Sequence, residues 1–228
     1  MEPTDNITGL SFLEKVILLA LDDKGWFGNS ENSIKFGLAG AILFVLFKNN
    51  RIELKEGVVV VKDPSPLNDP FLDRVLEFIK AGKKNRSIRT WIQRMVYKKI
   101  TIRKSLIRSL IDKKILRKEE YSIFWVMYQF KYPVNNPELK KQLREEIFYR
   151  ILKEERLDGY DLMMIAVMDS CKMFRKNFKQ FPEYPGLRKR IKKVILFNDP
   201  VNEDSKTIGI IYNSIKRTIS SSNVSLHV

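Results

Sequence analysis

Two segments of the chain, residues 33–48 and 161–174, are apolar around almost the whole circumference of a predicted α-helix. Each is shorter than the ~20 residues that a helix needs to cross a lipid bilayer. A helix without a polar face is stable in water only when other elements surround it. The sequence therefore predicts a domain built around these two helices, with both of them buried at its centre.

Amphipathic segments predict the elements that would surround this centre. A first helix follows a cap at Thr8 or Ser11 and ends before Asp22. Apolar residues at helical spacing predict further helices over residues 70–81, 87–97, 102–116, 137–154, 187–196 and 205–219. β-Branched and aromatic runs predict hairpins over residues 51–62 and 121–132. The predicted fold is mainly α: a central apolar helix bundle, ringed by amphipathic helices, with one or two short β-hairpins.

Neither an internal repeat nor a low-complexity linker interrupts the chain. We therefore expect one domain over residues 8–219, with flexible termini at residues 1–7 and 220–228. The first residues are acidic, which is not typical of a secretion signal. The sequence predicts a cytoplasmic protein whose contact with a membrane is peripheral.

The residues that most catalytic and metal sites require are almost absent from the sequence. Cys171 is the only cysteine and His227 the only histidine. An intramolecular disulfide, a thiolate cluster and most histidine-based zinc or acid–base sites are therefore excluded. Neither a glycine-rich phosphate loop nor a nucleophile-elbow motif is present. We expect no catalytic residues, no metal and no cofactor, in a protein that is not an enzyme.

Positive charge is concentrated in one part of the chain. Lysine and arginine number 42 against 27 aspartate and glutamate residues, for a net charge of +15. Fifteen basic residues lie between Lys80 and Lys118, where Asp112 is the only acidic residue, and a second basic cluster lies at residues 188–193. Exposed helices normally mix both signs, because oppositely charged neighbours attract. The excess predicts an anionic partner, either an anionic lipid surface or nucleic acid.

Aromatic residues that follow the basic segment bear on the choice between these partners. A helix and a hairpin within residues 87–132 are typical of a winged-helix unit, which favours nucleic acid. The hairpin, however, carries Phe124, Trp125 and Phe130, with Lys131 as the only charge. Apolar rings beside a basic face are typical of contact with lipid headgroups or with a protein, including self-association. Anionic lipid is therefore the preferred partner, and nucleic acid is the alternative.

Several motifs, in their order and spacing, resemble the Golgi phosphoprotein 3 family over nearly the whole chain, from Thr8 to Ile219. They are LSFLEKVILLALDD at 10–23, Gly25, FGLAGAIL at 36–43, LIDKKIL at 110–116, PVNN at 133–136 and DLMMI at 161–165. The resemblance implies a helical peripheral membrane protein that binds phosphatidylinositol 4-phosphate. It also implies retention of glycosyltransferases in the Golgi and engagement of the COPI coat.

The resemblance carries a lipid pocket onto this sequence only in part. The family's loop tryptophan falls on Ser30, although Trp26 lies in the same loop, and its second-helix arginine falls on Ala39. Its paired arginines fall on Ile100 and Arg103, so that only Arg103 is retained. These differences are typical of a divergent or prokaryotic member.

Two sets of candidate residues follow. The predicted phosphate- or lipid-binding residues are Arg103, Lys99, Lys98, Lys104, Trp26 and Ser30, and the predicted membrane-contacting hairpin residues are Phe124, Trp125 and Phe130. We expect Arg103 and Lys99 to face a concave, positively charged pocket bordered by the loop at residues 26–30. The alternative is that Arg103 pairs with a nearby carboxylate.

Overall fold

The computed structural model describes residues 9–28, 31–82, 84–98, 101–123, 127–153, 157–196 and 203–224. In this part of the chain, ten helices and five strands follow one another. The helices are α1 (Phe12–Ala20), α2 (Glu31–Lys48), α3 (Pro70–Lys80), α4 (Ile88–Tyr97), α5 (Ile102–Asp112), α6 (Pro137–Leu152), α7 (Gly159–Ser170), α8 (Phe174–Phe178), α9 (Tyr184–Leu196) and α10 (Glu203–Val224). The strands are β1 (Ile52–Lys55), β2 (Val58–Val61), β3 (Arg86–Ser87), β4 (Glu119–Ile123) and β5 (Met127–Lys131).

Local sequence explains where several of the helices begin. Ser11 and Glu14 form a reciprocal capping box at the start of α1, in which the Ser11 amide donates to Glu14 Oε2 at 2.8 Å. The side chain of Ser87 caps α4 in the same position relative to its helix. Asp69 and Asn136 cap α3 and α6, each of which has a proline in its first turn. The predicted mainly α fold with short hairpins is confirmed.

The two apolar helices are buried, as predicted. Most of α2 and most of α7 are inaccessible to solvent, and their side chains belong to one contiguous buried cluster. Glycines let neighbouring helices approach α2 closely: a Cβ at Gly40 would lie 2.5 Å from Ile215 of α10. Within the described ranges, no helix combines the length and the apolar character that a bilayer crossing requires.

Two small antiparallel sheets lie outside the helical core. β1 and β2 form the predicted first hairpin, with Ile52 opposite Val61, and β3 extends this sheet by pairing with β2. β4 and β5 form the second hairpin, with Glu119 opposite Lys131. The β3 strand was not predicted, because a two-residue strand exists only through its pairing with a distant segment.

Four helix boundaries differ from the prediction by three residues or more. Helix α9 begins at Tyr184 instead of residue 187, because a proline such as Pro185 is tolerated in the first turn of a helix. Helix α5 ends at Asp112 instead of residue 116, because Lys114 adopts a left-handed conformation (φ 58°). The segment predicted as one helix over 161–174 forms α7 and α8, because Lys172 is also left-handed (φ 55°). Helix α10 continues to Val224 and therefore includes residues 220–224, which were predicted to belong to the flexible C-terminal segment.

Candidate anion-binding site

Arg103 lies in the first turn of α5, at the edge of the buried stripe that this helix presents to the core. Its neighbour Ile102 is buried, whereas the side chain of Arg103 is 35% exposed. The guanidinium carbon lies 4.9 Å from the centre of the Phe27 ring, within the range of a cation–π contact. Arg103 therefore faces the loop that follows α1.

The same guanidinium also pairs with a carboxylate, which was the stated alternative. Nη1 of Arg103 donates to Oε1 of Glu31 at 3.1 Å, and Glu31 is the first residue of α2. The Glu31 side chain is 59% exposed, so this ion pair lies in water and is weak, worth roughly 0–1 kcal/mol. An anionic ligand that reached Arg103 would compete with Glu31 for it.

The loop between α1 and α2 is held against the base of the second hairpin at Gly25. The amide of Tyr132 donates to the carbonyl of Gly25 at 2.9 Å, and the Tyr132 ring meets the Phe27 ring edge-on at 6.5 Å. Gly25 is left-handed (φ 87°), and a Cβ there would lie 2.4 Å from the backbone of Tyr132 and of Pro133. Only glycine allows the two backbone segments to approach so closely. The contact holds the loop in place, with the Phe27 ring next to the Arg103 guanidinium.

A cavity of about 310 Å³ opens beside Arg103, and we name it the Arg103 cavity. It is lined by Glu31, Asn32, Lys35, Val96, Thr101, Ile102, Arg103 and Lys104. Three of these residues are cations and one is an acid, so the cavity carries positive charge. Sequence reasoning missed the contribution of α2. The spacing of Glu31, Asn32 and Lys35 on one side of an otherwise apolar helix would have indicated it.

The structure brings together only some of the predicted site residues. Arg103 and Lys104 line the same cavity, whereas Trp26 lines a separate one of about 420 Å³ with Tyr121, Arg117 and Lys131 among its other walls. The Trp26 ring meets Tyr121 edge-on at 6.1 Å. Lys98 is exposed at the end of α4 and lines neither cavity. Lys99 and Ser30 lie outside the described residues.

The second hairpin is partly apolar at its surface. Phe130 is 40% exposed, and Nζ of Lys118 lies 3.7 Å from the centre of its ring. Phe124 and Trp125 lie outside the described residues. The hairpin also begins two residues earlier than predicted, so that β4 includes Glu119 and Glu120. Glu119 pairs with Lys131 at 2.7 Å, and the hairpin is therefore less cationic than the sequence suggested.

Acidic residues from distant parts of the chain neutralise some of the basic segment. Lys113 pairs with Glu14 at 2.7 Å, where the Glu14 side chain is only 3% exposed and also accepts from the Ser109 hydroxyl at 2.8 Å. Among the described residues, no carboxylate forms an ion pair with eight cations of the segment. These are Lys84, Arg86, Arg89, Arg94, Lys98, Lys104, Lys114 and Lys118. The basic segment therefore keeps a net positive charge, although ion pairs with distant carboxylates make that charge smaller.

The single cysteine is unsuited to chemistry. Cys171 lies at the end of α7 with 1% of its surface exposed, and burial raises the pKa of its thiol to about 12. The thiol is therefore protonated at neutral pH and a poor nucleophile. Among the residues that the structure describes, no three His, Cys, Asp or Glu side chains are grouped as a metal site requires.

A comparison of the sequence with known protein families assigns the chain to one of them. The sequence model of Golgi phosphoprotein 3 matches residues 13–206, which run from the second residue of α1 to the first turn of α10 and include the site described above. This chain belongs to the Golgi phosphoprotein 3 family. The predicted resemblance is therefore confirmed.

Two fungal proteins, each named vacuolar protein sorting-associated protein 74, are similar to the chain. The protein from Schizosaccharomyces pombe is 24% identical over 201 residues, covering 78% of this chain and 54% of that protein. The protein from Eremothecium gossypii is 26% identical over 168 residues, covering 64% of this chain and 49% of that protein. The chain thus spans about half the length of these relatives.

The position aligned with the second-helix arginine of the Golgi phosphoprotein 3 family offers no charge here. Ala39 is fully buried in α2, where its methyl group cannot contact an anion at the surface. Ile100, the other aligned position, lies outside the described residues.

Proposed function

We propose that this chain is a non-catalytic membrane adaptor that binds anionic phospholipid headgroups, of the phosphatidylinositol 4-phosphate type, at the Arg103 cavity. Membership in the Golgi phosphoprotein 3 family supports a role in membrane trafficking. The fungal relatives carry a name that refers to vacuolar protein sorting, which supports the same role. Neither name is that of an enzyme.

The observation that carries the proposal is the charge and size of the Arg103 cavity. Lys35, Arg103 and Lys104 provide three cations against the one carboxylate of Glu31. A volume of about 310 Å³ lies at the lower end of the roughly 300–1,000 Å³ typical of small-ligand sites, and a single phosphorylated sugar headgroup needs no more. The planar fork of an arginine suits a phosphate, which it can bind through two parallel hydrogen bonds.

The second hairpin would supply an apolar contact with the same membrane. Phe130 and Tyr121 are 40% and 51% exposed, and rings of this kind are stable at the level of the lipid headgroups. We extend this contact to Phe124 and Trp125 on the sequence pattern alone. A protein partner or a second copy of the chain would compete for the same rings.

The proposal is tested by flotation of the full chain with phosphatidylcholine vesicles that do or do not contain phosphatidylinositol 4-phosphate. We expect binding only to the anionic vesicles, weakening as salt is raised, because each cation near the surface contributes about 1 kcal/mol. Arg103→Gln and Lys35→Gln should each weaken binding by about fivefold to tenfold. Equal binding to neutral vesicles would contradict the proposal.

Arg108→Gln is the matched control, because it removes the same charge from the same helix. Arg108 is 85% exposed and does not line the Arg103 cavity. We expect its loss to reduce vesicle binding less than the loss of Arg103 does. Equal reductions would show that a diffuse surface, and not the cavity, binds the membrane.

A duplex DNA shift at matched salt separates the lipid from the nucleic-acid alternative. Glu119 and Glu120 lie in the strand that would form the wing of a winged-helix unit, and they would repel the phosphate backbone. We therefore expect DNA binding to be weaker than vesicle binding. A tight DNA shift that Arg103→Gln weakens would instead favour nucleic acid.

A further inference from the structure

A second cationic groove lies at the junction of α7, α8 and α9, and we name it the Lys172 groove. It has a volume of about 360 Å³ and is lined by Asp169, Lys172, Phe174, Arg175, Tyr184, Arg188 and Ile191. The Arg103 cavity is formed by α2, α4, α5 and Thr101, so the two sites share neither a residue nor a helix.

Three cations and one acid line this groove. Lys172, Arg175 and Arg188 are exposed, and among the described residues none of them forms an ion pair with a carboxylate. The one acid in the wall, Asp169, is already engaged. Its Oδ2 accepts a hydrogen bond from the Tyr212 hydroxyl at 2.7 Å and lies 3.8 Å from Nζ of Lys216. The groove therefore keeps a positive field for a ligand.

Lys172 has a left-handed backbone conformation, which is unfavourable for a lysine. It has φ 55° and follows the last turn of α7, where its amide donates to the Asp169 carbonyl at 3.0 Å. Glycine is the residue normally found at this left-handed position, because a Cβ there is unfavourable by about 1 kcal/mol. A lysine at this position therefore costs stability that a glycine would not.

The floor of the groove is apolar and aromatic. Phe174 is 8% exposed and Ile191 is 5% exposed, and Tyr184 forms part of the wall. Because Phe174 and Ile191 are almost completely covered already, the half-buried Tyr184 provides most of the aromatic surface that an organic group bonded to a phosphate would cover.

We propose that the Lys172 groove binds a phosphate monoester whose organic portion packs on Tyr184, beside Phe174 and Ile191. Lys172, Arg175 and Arg188 contact the phosphate, which is close to a dianion at neutral pH. The monoester could belong to a small soluble molecule or to a lipid headgroup, and both present the same chemistry to these residues. This site is independent of headgroup binding at the Arg103 cavity.

The test is titration calorimetry of the full chain with phenyl phosphate, which joins an aromatic ring to a phosphate monoester. We expect saturable binding that is at least about tenfold weaker in Lys172→Gly and in Arg188→Gln. Lys172→Gly has a particular advantage, because glycine suits the backbone and the variant should be at least as stable as the native chain. A loss of affinity then reports the missing charge.

Lys189→Gln is the matched control, since Lys189 is exposed on α9 next to Arg188 but does not line the groove. It should change the affinity by less than about twofold. An absence of saturable phenyl phosphate binding, or an equal loss in Lys189→Gln, would overturn the proposal. Equal affinity for inorganic phosphate would overturn the packing role given to Tyr184.

Vesicles distinguish the two sources of the phosphate monoester. Flotation with phosphatidylcholine vesicles that contain phosphatidic acid is compared for the native chain and for Lys172→Gly. A loss of vesicle binding in the variant assigns the groove to a lipid headgroup. Unchanged vesicle binding together with weakened phenyl phosphate binding assigns it to a soluble ligand. If Lys172→Gly changes neither, the groove is not a phosphate site.

Discussion

Lys140 of α6 donates from Nζ to the backbone carbonyl of Leu21 at 2.7 Å, across 119 residues of sequence. It also donates to the carbonyl of Asp22 at 2.9 Å, so that one ammonium group binds the two carbonyls that follow the last turn of α1. A cation in this place complements the partial negative charge of a helix C-terminus. The contact also holds the start of the loop in which Phe27 lies next to Arg103.

Replacing Lys140 by methionine should lower the free energy of unfolding by about 1–3 kcal/mol at pH 7. The reason is that the two carbonyls lose their donor in a site where the Lys140 side chain is only 4% exposed. Urea denaturation measures the loss. Lys141→Met is the control, because Lys141 is 61% exposed on the same helix and its replacement should change stability little.

The same lysine predicts a dependence of stability on pH. Burial, with the neighbouring charge of Arg144, lowers the pKa of Lys140 from 10.5 to about 8. Between these two pH values the unfolded chain holds a proton that the folded chain has released, so the free energy of unfolding rises with pH. We expect the stability gap between the native chain and Lys140→Met to widen by ~1–3 kcal/mol from pH 8 to pH 10.5. A constant gap would show that Lys140 stays charged in the fold.

Two glycines of the same loop should respond differently to alanine. Gly25→Ala should lower the free energy of unfolding by about 2–4 kcal/mol, because its Cβ would lie 2.4 Å from the backbone of Tyr132. Gly28 is also left-handed (φ 53°) but has no atom within 4 Å of an added Cβ, so Gly28→Ala should cost only about 1 kcal/mol. Denaturant unfolding of both variants measures the difference. Equal losses would mean that the hairpin is not packed on Gly25.

Removal of the Glu31 carboxylate should strengthen vesicle binding. Glu31→Gln frees Arg103 from its intramolecular ion pair, and we expect affinity for phosphatidylinositol 4-phosphate vesicles to rise about threefold, or ~0.6 kcal/mol. Glu138→Gln is matched to it, because Glu138 is similarly exposed (53%) and pairs with a surface lysine away from the cavity. If both variants gain equally, net charge alone explains the effect.

A double-mutant cycle tests the packing of α2 on the end of α7. A Cβ at Gly37 would lie 2.6 Å from Sγ of Cys171, so Gly37→Ala should destabilise the native chain. In a Cys171→Ala background the sulfur is gone, and the same change should be nearly neutral. We expect a coupling energy of about 1–3 kcal/mol from chemical denaturation. Additive effects of the two changes would contradict the close approach.

Part of the site could be predicted from the sequence, and part could not. The family resemblance identified Arg103, and the structure places its guanidinium beside Phe27 in the loop after α1. Its pairing with Glu31 could not be predicted, because 72 residues separate the two and an ion pair leaves no local pattern. The separation of Trp26 from Arg103 into different cavities is likewise a result of tertiary packing.

The sequence by itself determined where several of the helices begin and which two of them are buried at the centre. Capping by Ser11 and Ser87 and the apolar character of α2 and α7 are local properties, and a few residues are enough to establish them. Tertiary structure alone decided which charges remain free. Lys113 is neutralised by Glu14, 99 residues away, whereas Lys104 has no such partner among the described residues, because a charge is paired by whatever the fold places within a few ångströms of it.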